Sequence, residues 1–197
     1  MQDLKQAKKQ ILEVYEQDQF ALAFVLTKKA RQRFEPDVRL EFLHAECMRQ
    51  MGMKGAYEIL SALTPPNAQA EFQIQVALGM NCVNECQPAK ACNHFERAIK
   101  LNRAVTFPFV FLASALMTLK EYVRAIEVLK EGLTAEGDID EIHFNLGSCY
   151  RALGDFGTAR QEYLKTLALD PAYPEVREAV EDLEAALKES PSAEEES

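Results

Sequence analysis

Residues 140–171 read DEIHFNLGSCYRALGDFGTARQEYLKTLALDP, and this stretch decides the fold because its pattern recurs upstream at a fixed interval. Its fixed points are His143, Leu146, Gly147 and Tyr150, then Ala159 and Tyr163, then Pro171. Leu146, Tyr150, Leu153, Tyr163 and Leu167 fall at the spacings that place side chains on the buried faces of two amphipathic helices. Gly147 and Ala159 lack bulk where the two helices cross. Gly154 and Asp155 supply the turn between them, and Pro171 closes the second helix because it cannot continue one. Asp138 with Glu141 three residues on reads as a capping box opening the first.

One constant step back from Gly147 reaches Ala113 and then Gly79, and the same steps from Ala159 reach Ala125 and Ala91. The large positions agree: Leu146, Leu112 and Leu78 in the first helix, then Tyr163, Leu129 and Phe95, and Leu167, Leu133 and Ile99, in the second. This pattern resembles the tetratricopeptide repeat, a helix–turn–helix unit of about 34 residues. The resemblance implies an all-α fold, an α-solenoid of tandem helix–turn–helix repeats at 72–105, 106–139 and 140–173. A divergent repeat at 37–71 keeps Leu40, Leu43, Ala56 and Leu60; either His44 or Ala45 takes its small site, with a shortened turn around Gly52 and Gly55 absorbing the difference. Residues 1–36 read as a degenerate N-terminal helix pair with Leu12, Tyr15, Phe20, Ala23, Val25, Leu26 and Ala30 inside. Residues 174–190 form an amphipathic capping helix of the kind such arrays need for solubility, and 191–197 an acidic disordered tail. In the middle repeats Gln75, Cys82 and Arg103 depart from the pattern, and Gly132 and Gly137 are expected to loosen the end of a second helix.

Composition narrows the function. The chain has 197 residues, 48% hydrophobic, with no tryptophan, and carries a net charge of −9. That charge argues against a nucleic-acid binder, whose affinity comes from clustered Lys and Arg. No apolar run approaches the roughly 18–20 residues of a membrane span, and the first residues lack the apolar core and cleavage site of a secretory signal. A cytoplasmic location and no membrane insertion are expected. From Glu175 onward acidic residues dominate, while the N-terminal stretch leans basic through Lys5, Lys8, Lys9, Lys28, Lys29, Arg31 and Arg33, so the ends differ electrically. Five cysteines without framework-like spacing fit reduced thiols.

Catalytic motifs are missing from the sequence: there is no GxSxG, no glycine-rich phosphate loop and no HExxH, and His44, His94 and His143 lie on separate repeats. Cys82, Cys86, Cys92 and His94 come nearest to a metal set, but Cys82 sits in a core position and the spacing matches no standard zinc module. The chain is read as a non-enzyme with no catalytic residues, metal or cofactor.

A helix packed on one side should be polar on the other, and the stretch 107–118, FPFVFLASALMT, is not. Beyond its core stripe it carries Phe107, Val110, Phe111 and Met117 at helical spacing. Equivalent positions give Val76, Met80 and Val83 one repeat earlier and Phe144, Asn145 and Arg151 one repeat later, with Phe42 and Arg49 in the divergent repeat. In the tetratricopeptide family the first helices line a concave groove where partners bind, and the resemblance places these residues there. Such an apolar groove implies an adaptor or chaperone holding an apolar helical or extended segment of a partner protein. It lacks the lysines and asparagines with which the family's carboxylate clamps hold a peptide's C-terminus. The other function class is a self-associating scaffold, a homodimer or higher homo-oligomer joined through the apolar face or the charged ends.

Overall fold

A computed structural model describes residues 2–189. The described backbone forms eleven helices: α1 (Gln2–Glu16), α2 (Phe20–Arg33), α3 (Val38–Gln50), α4 (Ala56–Ala62), α5 (Ala68–Asn84), α6 (Pro88–Leu101), α7 (Phe107–Thr118), α8 (Tyr122–Gly132), α9 (Ile139–Ala152), α10 (Phe156–Leu169) and α11 (Pro174–Glu189). The chain divides into two compact units, Met1–Leu101 and Asn102–Ser197. The acidic segment 191–197 lies outside the described residues.

One backbone device sets all five helix–turn–helix pairs in frame. Asp18 (φ 58°), Gly52 (64°), Cys86 (55°), Lys120 (62°) and Gly154 (82°) follow one another at one repeat length, and each takes the left-handed conformation that ends a helix. The next N–H in each turn reaches back five residues: Gln19 to Val14 (3.2 Å), Met53 to Met48 (2.8 Å), Gln87 to Cys82 (2.8 Å), Glu121 to Leu116 (2.9 Å) and Asp155 to Tyr150 (3.0 Å). That bond satisfies a carbonyl the helix end would otherwise leave open. The period therefore runs through the first two pairs, where the side-chain pattern is blurred.

Seven residues before each turn lies the small site: Ile11, Ala45, Gly79, Ala113 and Gly147. In the second pair it is thus Ala45, which joins a buried cluster with Leu60, Ala77 and Leu78. His44 faces away, onto α2, with its Nδ1 2.8 Å from Thr27 Oγ1 and its ring stacked on Phe24 at 4.9 Å. Because the Thr27 hydroxyl already donates to the Phe24 carbonyl (2.8 Å), it accepts from the imidazole. Ala45 and Leu60 stand one residue closer in sequence than Gly79 and Phe95. The difference falls before α4, where Gly55 (φ 93°) is a second left-handed residue and delays a helix of only seven residues.

In the repeats that keep glycine, its purpose is a ring. A Cβ on Gly79 would lie 2.5 Å from the Phe95 ring, and one on Gly147 would lie 2.5 Å from Tyr163. Ala113 and Leu129 hold the equivalent positions in the intervening repeat, and both are fully buried. In the first pair the sizes are exchanged, Ile11 at the small site and Thr27 in place of the ring, again both buried. A second pair of positions also varies together: Gln75 Oε1 accepts from His94 Nδ1 (2.9 Å), and two repeats on His143 Nδ1 meets Glu162 Oε2 (2.7 Å). Gln75 is therefore no gap in the pattern, since His94 satisfies it.

Three local expectations are corrected. Gly132 packs rather than loosens: a Cβ there would lie 2.9 Å from Phe109 Cβ and 3.2 Å from Ile142 Cδ1. Gly137 (φ 130°) lies against Thr106, where the chain ties back through Thr106 N–H to the Glu136 carbonyl (3.0 Å) and Glu136 N–H to the Ala104 carbonyl (2.7 Å). The capping box at Asp138 does not form: the Asp138 side chain caps nothing, and its N–H, which Glu141 would have had to accept, donates to Thr106 Oγ1 (3.1 Å). The caps that do form are Asp37 to Leu40 N–H (3.0 Å), Asn67 to Ala70 N–H (2.8 Å) and Asp155 to Thr158 N–H (3.0 Å). Helix α11 lays Val176, Ala179, Val180 and Leu183 on Ala159 and Tyr163 of α10.

Candidate functional site

The residues expected to line a groove fall in both units. In the unit Met1–Leu101, Phe42 on α3 and Val76 and Met80 on α5 are half-buried, and Val83 is 45% exposed. In the unit Asn102–Ser197, Phe107 is 36% exposed with its ring edge-on to Phe111 at 6.1 Å, and Met117 is half-buried. Val110 is buried at 7% and offers an incoming chain almost nothing. Phe144 is already engaged: Tyr173 stacks on it at 5.3 Å and Tyr163 lies at 6.0 Å, in the cluster that holds α11. Asn145 donates to the Glu141 carbonyl (2.8 Å), and Arg151 is exposed. Arg49 is no free rim cation, since Glu46 grips it at 2.9 and 2.8 Å on its own helix.

A concavity in the first unit lies between α1, α3 and the start of α5. It is a cleft of about 470 Å3 whose wall includes Leu12, Val38, Phe42, Leu43 and Ile74, with Asn67, Gln69 and Gln73 at the α5 edge. Ile74 and Leu43 are core residues whose outer edges reach the floor, and Leu12 and Phe42 pack against the two neighbouring core clusters. Of the lining residues, the repeat pattern places Phe42 and Gln73, the latter one repeat before Phe107, on the expected face, and Leu43 in the core. Gln69, Gln73, Val76, Met80 and Val83 follow one another at helical spacing along α5, so the cleft opens onto the expected stripe.

The cleft runs into a basic recess. Leu12 and Arg39 line both it and a neighbouring hollow of about 590 Å3 bounded by Lys5, Lys8 and Lys9. Lys8 is committed to Asp37 at 2.9 Å. Burial pushes the Asp37 carboxyl up, but the hydrogen bonds from Lys8 and the Leu40 N–H outweigh it and hold the group below its ordinary value. Lys9 meets Glu13 at 3.7 Å, in solvent, and pairs with no other carboxylate among the described residues. Neither Lys5 nor Arg39 pairs with a carboxylate among the described residues. The second unit's hollow is acidic instead, about 480 Å3 bounded by Phe144, Asp170, Tyr173 and Glu175. Burial, and then Glu141 and Glu175, raise the Tyr173 phenol above its usual value.

Reactive chemistry is not gathered at either place. Burial pushes the Cys47 and Cys149 thiols up to about 11, so both stay protonated and packed as small hydrophobes. Cys82 and Cys92 are buried, Cys86 is exposed, and His94 is held between Gln75 and the Tyr57 hydroxyl (3.2 Å). Among the described residues no three His, Cys, Asp or Glu side chains are placed to hold a metal ion. Nor is any described helix long and apolar enough to cross a membrane.

Comparison with known proteins agrees with the repeat frame. Residues 140–173 match the family model of the tetratricopeptide repeat. No curated protein matches the chain in sequence. Its fold is similar to that of MamA from AMB-1, at 18% identity and a TM-score of 0.71 over 84% of this chain and 98% of that one. It is also similar to YrrB, described as a TPR protein with an unusual peptide-binding site, at 15% identity and a TM-score of 0.68 over 89% and 90% of the two chains. A thermophilic TPR protein of Thermus thermophilus aligns at 19% identity and a TM-score of 0.62 over 92% and 99%. The all-α solenoid class expected from the repeat is the class of these structures.

Proposed function

We propose that this chain, a tetratricopeptide-repeat protein in its fold and, over residues 140–173, also in its sequence, is a non-enzymatic adaptor or chaperone that holds an apolar segment of a partner protein. A protein-interaction module is the role this fold supports, and YrrB, a neighbour in fold, is described with a peptide-binding site. The observation that carries the finer proposal is the cleft between α1, α3 and α5, floored by Leu12, Phe42 and Ile74 and continuous by spacing with Val76, Met80 and Val83. Burying one leucine or phenylalanine side chain is worth about 1.5–3 kcal/mol. Micromolar binding needs about 8 kcal/mol, so the partner must fill the cleft and lie along the α5 stripe as well. Methionine at position 80 gives that stripe an adaptable surface.

The test uses a displayed library of random peptides on the immobilised full chain. Enriched peptides should share bulky apolar residues. Gln73→Trp, which fills the cleft from an exposed position, should remove the enrichment and leave thermal melting in place. Equal enrichment on the variant refutes the assignment of this cleft.

A further inference from the structure

Resting on that reading of the cleft, we propose that it selects segments in which a bulky apolar residue is flanked by acidic side chains, with Arg39, Lys5 and Lys9 receiving the carboxylates. The apolar cleft and the basic recess are one continuous surface, because Leu12 and Arg39 belong to both. An apolar side chain seated on Leu12 and Phe42 therefore brings its neighbours in sequence beside these cations.

The cations differ in how far they are committed, which decides which can act. Lys8 is spent on Asp37, at 2.9 Å and with both side chains about three-quarters covered. Lys9 is 79% exposed and its contact to Glu13 spans 3.7 Å, the kind of surface pair that contributes little and is exchanged easily. Arg39, exposed on α3, presents a planar fork that suits a carboxylate better than a point charge does. Asp37 and Glu13 are the carboxylates already paired at this recess, and each has its own lysine.

The recess is a local positive spot on a chain of net charge −9. Across the same unit the charges nearly balance, 13 Lys and Arg against 12 Asp and Glu over residues 1–101, so a short acidic flank gains from the recess within a screening length of about 8–10 Å and a longer acidic chain gains nothing more. The favoured ligand is thus a short amphipathic motif rather than a polyanion. Its carboxylates are side chains within a continuing chain, so a free C-terminus is not required.

Fluorescence anisotropy on the full chain tests this with three labelled peptides, acetylated and amidated so that no terminal charge contributes. The first centres a Leu-Phe pair between Asp and Glu residues, the second replaces those acids with lysines, and the third keeps the acids but replaces Leu-Phe with serines. The first should bind at least about tenfold more tightly than either of the others, and should weaken as salt rises to about 0.3 M. Arg39→Glu combined with Lys5→Glu and Lys9→Glu should invert the preference between the first and second peptides. Equal binding of the first two, both blocked by Gln73→Trp, overturns the charge selection while leaving the cleft as an apolar site. Equal binding of the first and third overturns the apolar anchor. Binding of none of them overturns both the selection and the cleft.

Discussion

Gly147→Ala sets the packing account of this fold against helix propensity, because Gly147 lies within α9. In an exposed helix the change would stabilise by about 1 kcal/mol, because alanine is the better helix former. Here the new Cβ would stand 2.5, 2.6 and 3.1 Å from Tyr163 Cδ1, Cε1 and Cγ, where carbon pairs prefer about 3.5–4.0 Å. The ring has little room to retreat. Tyr163 is 1% exposed, its hydroxyl lies 3.1 Å from Ser148 Oγ, and Phe144 sits at 6.0 Å. Overpacking of a closed core costs about 1–3 kcal/mol or more, which outweighs the helix gain only if the ring is fixed. We expect a net loss of about 2 kcal/mol, read as a lowered urea midpoint with an unchanged slope.

The compensating change is already present one repeat upstream, where Ala113 and Leu129 occupy the same two positions. Tyr163→Leu alone should cost about 2–4 kcal/mol by leaving space and removing the phenol's hydrogen bond to Ser148 Oγ, whose own hydrogen stays on the Phe144 carbonyl (3.0 Å). Gly147→Ala with Tyr163→Leu recreates the upstream pair, and its loss should fall short of the sum of the single losses by at least about 1.5 kcal/mol. A Gly147→Ala chain as stable as the parent, or a strictly additive double variant, would refute the reasoning.

Gly137→Ala should destabilise the second unit by about 1–3 kcal/mol, since φ is 130° and the added carbon meets Thr106 Oγ1; Thr106→Val, which loses only the hydrogen bond from Asp138 N–H, should cost about 1 kcal/mol by the same urea titration. The first unit should lose stability in mild acid through His44. Burial first, and then Arg31, hold its pKa below 6.5, so the neutral form's contribution is complete above pH 6.5 and declines as pH falls toward the folded value. His44→Phe keeps the ring on Phe24 and leaves Thr27 bonded to the Phe24 carbonyl, so its urea midpoint should fall less between pH 6.5 and about 5 than the parent's. An equal fall would exonerate His44.

What can be read from the sequence and what cannot divides along the distance over which each residue is constrained. Gly147 and Tyr163, or Gly79 and Phe95, answer to one facing position that recurs with the period, so the columns show the buried seam directly. The turn column is half hidden: Asp18, Gly52 and Gly154 are residues that tolerate a left-handed backbone, but Cys86 and Lys120 carry no such mark. The reciprocal half of the expected capping box, Glu141 accepting from Asp138 N–H, is pre-empted by Thr106, 32 residues earlier, an attachment that no local spacing reveals. The cleft is less visible still. Leu12 reads as interior, Val38 stands out in no pattern, and Arg39 joins the column of Gln73 and Phe107 only once Ala45 fixes the register of its repeat. Phe144 shows the opposite failure, since helical spacing places it on an open face and Tyr173, from outside its helix pair, lies over it. A core side chain is specified by a neighbour that the repeat copies along the array. Leu12, Arg39 and Ile74 come from the first helices of three successive pairs, at three different positions of the repeat, so no single column displays the surface they form together.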